Sequence, residues 1–239
     1  MLEVKRVGSA PSSLVTGLVW GTVLLLAIIG LAAAIGRMLY LGRGVGPPTS
    51  DPIDVGYIRY PLLTMFHIVP GVLFMVLGPL QFVRRIRVRH PRFHRWSGRV
   101  FVAAGLVVGV TGLVMGVVIA LGGANETVAA VFFAAIFLFA LGNAVRHIRR
   151  GAMARHREWM LRAFAVGLAV ATTRPIIAGF FALTDLSPRE FFGIAFWLGF
   201  TSHLIAAEIW IHYTRPTIRA RPEVGAAGIN DPARALTLP

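Results

Sequence analysis

The 239-residue sequence contains no cysteine. That absence excludes disulfides, thiolate zinc sites, iron–sulfur clusters and covalently attached c-type haem. Lysine is nearly missing as well: Lys5 is the only one, and the other basic residues are arginines. Acidic residues are scarce, 10 against 24 basic ones, which leaves a net charge of +14. Charged residues make up 14% of the chain, where a soluble domain carries about 25%. Together with 56% hydrophobic residues and a mean hydropathy of +0.71, this excludes an ordinary soluble enzyme and a disordered chain alike. No P-loop, G-x-S-x-G or H-E-x-x-H pattern occurs.

What the sequence does have is long apolar runs. Six stretches can each cross about 30 Å of hydrocarbon at about 1.5 Å per residue. They are Leu14–Gly36, Pro61–Phe82, Val100–Leu121, Thr127–Val145, Trp159–Leu183 and Phe191–Ile211. The first follows Lys5 and Arg6 but is too long for a signal-peptide core, so it reads as an uncleaved span. The expected fold is all-α: an integral membrane bundle of six transmembrane helices. It forms one domain over residues 1–215, with core hairpins at 58–121 and 127–183. The tail, 216–239, is rich in Pro, Ala and Arg and reads as poorly ordered.

The arginines set the expected orientation. Arg84, Arg85, Arg87, Arg89, Arg92, Arg95 and Arg99 crowd one link, and Arg146, Arg149, Arg150, Arg155 and Arg157 crowd another. With six crossings these fall on the same side as Lys5, Arg6 and the basic tail. Positive charge marks the cytoplasmic side, so both termini are expected inside. The partner implied for these clusters is the anionic headgroup layer of a cytoplasmic (inner) membrane. No nucleic-acid-binding motif is interleaved with them, which argues against a nucleic-acid partner.

Two segments resemble each other. Leu77-Gly78 ends one span, a basic link follows, and His94-Arg95-Trp96 leads into the next. Leu141-Gly142, a second basic link and His156-Arg157-Glu158-Trp159 repeat the order. The pattern reads either as two related helical hairpins or as a chance likeness between two basic loops.

The stretch from His67 through Gly78-Pro79-Leu80-Gln81 to His94-Arg95-Trp96-Ser97-Gly98-Arg99 is distinctive. So is His156-Arg157-Glu158-Trp159-Met160-Leu161-Arg162, with Ala207-Glu208 later. Together they resemble a bacterial membrane family catalogued as domain of unknown function 2306, over roughly residues 58–212. The resemblance implies a multi-pass membrane protein and brings no activity with it. At the position of His203 the family pattern often has asparagine.

An ionisable group inside a span is a functional candidate by default. His67, Arg162, Arg174, His203 and Glu208 qualify. Arg162 and Glu208 share a depth and form an expected ion pair, either functional or simply locking helices together. His67 and His203 are candidate axial ligands of haem b, because neutral imidazole on facing helices can clamp the iron. Gly71 lies four residues after His67 and Gly199 four before His203, so each glycine shares the histidine's face and leaves room for a macrocycle. The bland alternative is a hydrogen-bonded histidine beside a close-packing glycine. His94 and His156 form a second candidate pair, with Arg95, Arg99, Arg157 and Arg162 placed to match propionates. Arg174 joins the cofactor-binding set. This four-histidine arrangement resembles the two-haem four-helix cytochromes b, although the span Thr127–Val145 has no histidine.

The leading functional expectation is a haem b-binding electron-transfer protein serving a quinone or another redox partner. The competing one is a non-redox transporter or lipid-binding module that uses Arg174, His67 and Glu208. A third is an accessory subunit without chemistry of its own.

Overall fold

Prolines punctuate the chain: they open α3, α5 and α8, where a missing N–H costs nothing. The computed structural model describes residues 11–42 and 52–215. Eight helices occur among them. α1 is Ser13–Gly42, α2 Pro52–Arg59, α3 Pro61–Phe82 and α4 Arg84–Arg89. α5 is Pro91–Val118, α6 Gly123–Arg149, α7 Met153–Leu183 and α8 Pro188–Thr214. No strand is present among the described residues. All but α2 and α4 are long and apolar enough to cross a membrane, which makes six candidate spans. The basic ends Lys5, Arg6 and 216–239 lie outside the described residues.

The helices overrun the apolar stretches that announce them. α5 starts at Pro91 rather than Val100, α6 runs to Arg149 rather than Val145, and α7 starts at Met153 rather than Trp159. Hydropathy marks where hydrocarbon ends, whereas arginine is a good helix former and does not stop the backbone ladder. At 28, 27 and 31 residues, these helices measure about 40–46 Å. Their arginine-rich ends therefore stand beyond the hydrocarbon, and His94, Arg95, Arg99 and His156 sit on helices, not on loops. α2 and α4 are short helices that hydropathy does not announce.

The links are short and specific. After α6, Gly151 takes φ +72°, a left-handed conformation that disfavours a side chain. It lets Gly151 N–H bond to Ile148 O at 3.1 Å and Ala152 N–H to His147 O at 2.9 Å, closing the helix with a Schellman motif. Before α8, Glu190 Oε2 accepts from both the N–H and the hydroxyl of Ser187, each at 2.8 Å.

The core is drawn mainly from α3, α5, α6 and α7. Phe74 stacks on Phe101 at 4.4 Å and meets Phe137 edge-on at 5.6 Å and Phe164 at 6.0 Å. Glycines set how closely the helices approach. A Cβ on Gly109 would come within 2.5 Å of Leu138 and 2.9 Å of Phe137, both on α6. One on Gly78 would overlap the Phe164 ring. α8 packs on α6 and α7, and α1 packs on α3 and α7. α1 buries only Ala27.

Candidate functional site

Above the phenylalanine cluster, towards the end opposite the arginines, the bundle opens into a cavity of about 600 Å³. Its walls are mostly apolar and aromatic, with contributions from α1, α3, α5, α6, α7 and α8. Phe74 and Phe137 form its floor, and Gly30, Ala33 and Ala34 of α1 close one side. Its polar wall residues include His67, Arg174, Glu126, Arg37 and Tyr57.

His67 lies about 9 Å along α3 from Pro61. Its ring lies against α5 at Gly112, where a Cβ would come within 3.3 Å of Cε1. Its Nδ1 is 3.0 Å from Thr111 Oγ1. The Thr111 hydroxyl donates its one proton to Val107 O at 2.6 Å. The threonine oxygen is thus left to accept, and this arrangement assigns the imidazole proton to Nδ1. Nε2 keeps its lone pair and makes no hydrogen bond.

Arg174 lies about 14 Å along α7 from Leu183. It lines the same cavity and stands within electrostatic reach of His67. It forms no hydrogen bond or ion pair with any described residue. An arginine at the middle of a membrane helix costs about 2.5–3.5 kcal/mol on insertion scales, so a lone guanidinium here is a feature to be explained. Arg37 is engaged, stacked over Tyr57 at 4.6 Å. Glu126, which hydropathy places in an outer loop, is instead buried: its Oε2 accepts from the Gly122 N–H at 2.6 Å, closing the start of α6.

The structure does not bring His67 and His203 together. His203 is not on the cavity wall. Its Nε2 is 2.7 Å from Thr172 Oγ1 on α7. α3 and α8 share no extended interface. The glycines also differ from the expectation. Gly71 is open, with Val108 at 4.0 Å from a built Cβ, but a Cβ on Gly199 would come within 2.8 Å of Thr173 Cγ2. Gly199 seats α8 against α7 and leaves no macrocycle space. These residues do not fit a haem clamped between His67 and His203.

At the arginine-rich end the predicted residues do meet. Arg162 Nε and Nη2 donate to the two Glu208 carboxylate oxygens at 2.5 and 2.9 Å, and its guanidinium lies 4.6 Å over the Trp159 ring. Arg215 makes a second two-pronged contact with Glu158, at 3.0 Å on both oxygens. Arg157 Nη2 donates to Thr214 Oγ1 at 3.2 Å. Together these clasp the start of α7 to the end of α8. The quoted motifs are also accounted for: Gln81 Nε2 donates to Ser97 Oγ at 2.9 Å, joining α3 to α5, with Gly98 giving the room. His156 lies 2.9 Å through Nδ1 from Ala144 O, which fixes the proton there and leaves Nε2 free. His94 stands within electrostatic reach of it, and the buried Nδ1 of His94 has no partner. Arg95 and Arg99 are exposed, and Arg162 is already paired. Among the described residues there is no group of three or more His, Cys, Asp or Glu that could hold a metal ion.

A family described as Predicted membrane protein (DUF2306) matches residues 64–211, more than half of the chain. The chain belongs to this family. The match runs from the start of α3 almost to the end of α8, and so covers His67, Arg174, Arg162 and Glu208. It leaves out α1, which supplies one wall of the cavity. No curated protein and no solved structure matches the chain.

Sequence reasoning missed Thr111, Thr172 and the buried role of Glu126. Thr111 and Thr172 each act through one hydroxyl across a helix interface, and Glu126 acts on the Gly122 N–H at the start of its own helix, contacts that leave no mark in hydropathy.

Proposed function

We propose that this family member is a ligand-binding module of the membrane, taking a single-chain apolar molecule from the bilayer into its central cavity. The observation that carries this reading is the cavity itself. Its volume of about 600 Å³ falls within the range of about 300–1,000 Å³ typical of small-molecule sites, as does its apolar lining with a few polar groups. A two-chain phospholipid exceeds that size. α1 supports lateral access from lipid, since it covers the cavity with small side chains and buries little of itself. In this reading the arginine-rich end faces the cytoplasm and its anionic headgroups.

The test is the purified full-length chain, analysed by native mass spectrometry for retained lipid. Gly71→Leu puts a side chain into open space and so into the cavity. The expected result is retained ligand in the wild type and none in Gly71→Leu at unchanged thermal stability. Equal retention in both proteins overturns the reading.

One observation favours a second reading, haem b at the arginine-rich end. His94 and His156 stand within electrostatic reach of each other, with Nδ1 of the first and Nε2 of the second unpartnered among the described residues. Imidazole would supply axial ligation there, and Arg95 and Arg99 would hold propionates. A colourless protein purified from haem-replete cells removes this reading and any service to a quinone through haem.

A further inference from the structure

Resting on the reading of the cavity as a ligand site, we infer that its ligand is a single-chain carboxylic acid whose head is held between Arg174 and His67. The chemistry of the wall supports this head group over others. Among the described residues Arg174 has no acceptor for its guanidinium donors, and His67 Nε2 has a lone pair with no donor. A carboxylic acid presents the complement of both: its O–H donates to Nε2, and its other oxygen accepts from Arg174. A hydrocarbon satisfies neither group. An alcohol presents only one oxygen to two partners on different helices.

The charges also orient the ligand. Arg37, the other cation on the wall, is stacked over Tyr57, so the cavity offers one open positive charge for one acid group. Glu126 is held at the start of α6 by the Gly122 N–H. That side chain is occupied at the start of α6, which leaves Arg174 and His67 as the head-group site. The chain then lies along the aromatic floor and under the small residues of α1. Gly112 gives the imidazole room on α5, since a Cβ there would come within 3.3 Å of Cε1, beside the Thr111 hydroxyl that fixes the tautomer.

The experiment measures binding of radiolabelled oleic acid to the full-length protein in detergent. Unlabelled oleic acid, oleyl alcohol and a quinone serve as competitors. The wild type is expected to prefer the acid over the alcohol by about tenfold to a hundredfold, the usual worth of a hydrogen bond to a charged group. Arg174→Gln should bring that ratio close to one, and Arg174→Lys should restore most of it. His67→Phe should lower acid affinity further than alcohol affinity. The ratio is measured within each variant, so it does not depend on how much of the protein is folded.

Two failures are distinguishable. If Gly71→Leu abolishes binding of every probe but the wild type binds oleyl alcohol or the quinone as well as oleic acid, the cavity reading stands and the acid head group is overturned. An acid preference left intact in Arg174→Gln overturns it as well. If the wild type binds none of the probes, both are overturned.

Discussion

The two ends of the bundle solve the same problem in opposite ways. At the arginine-rich end charges are joined in pairs: Arg162 with Glu208 within the helices, and Arg215 with Glu158 at their more exposed ends. At the far end Arg174 has no partner among the described residues, and His67 keeps one nitrogen free beside a cavity. A paired charge joins two helices and is spent in doing so. An unpaired one in a low-dielectric site keeps its full demand for a counter-group. The difference separates a structural clasp from a candidate site, although both are built from arginine at similar distances along one helix.

The largest effect is expected in the glycine contact between α5 and α6 that holds the bundle together. Gly109→Leu drives a side chain into Leu138 and Phe137 where α5 meets α6. Overpacking costs about 1–3 kcal/mol, occasionally more. The expected outcome is loss of the monodisperse peak in detergent size-exclusion chromatography or a large fall in thermal midpoint.

Breaking the clasp comes next. Arg162→Ala leaves Glu208 without its partner. The Glu208 side chain is 42% exposed, which tempers the penalty for an orphaned charge to about 1 kcal/mol. A thermal melt should show a modest fall, with oleic acid binding unchanged. A strong loss of ligand binding would show that the clasp and the cavity are coupled.

The smallest effect concerns the two Leu-Gly segments that resemble each other. Gly78 and Gly142 occupy matching positions in the two hairpins, but only Gly78 is packed, against Phe164. A Cβ on Gly142 meets nothing within 4 Å. Gly142→Ala should therefore be neutral or stabilise by a few tenths of a kcal/mol, from helix propensity alone. Gly78→Ala should destabilise, because the Phe164 ring must shift. Equal melts for the two variants would remove this asymmetry.

The helical class, the span count and the family motifs were legible in the sequence because each rests on local chemistry. Apolar run length counts turns of helix across hydrocarbon, and prolines and Gly151 mark the breaks. The Arg162–Glu208 pair was legible for the same reason: two opposite charges inside spans at one depth have few ways to be satisfied. The haem ligand pair His67 and His203 was not decided at that level. Depth along a helix is readable from residue spacing, but the direction a helix face points is not.

By itself the sequence determined a six-span, all-helical membrane protein with its positive charge gathered at one end. Composition and period are enough for that, since a bilayer accepts backbone only as helix or closed barrel. The packed fold alone settles which polar groups are spent and which are free. It turned His203 onto Thr172, paired Arg162, set His67 on Gly112 and Thr111, and left Arg174 facing a void. Those outcomes depend on helix rotation, which is fixed by how side chains from several helices fill one volume together.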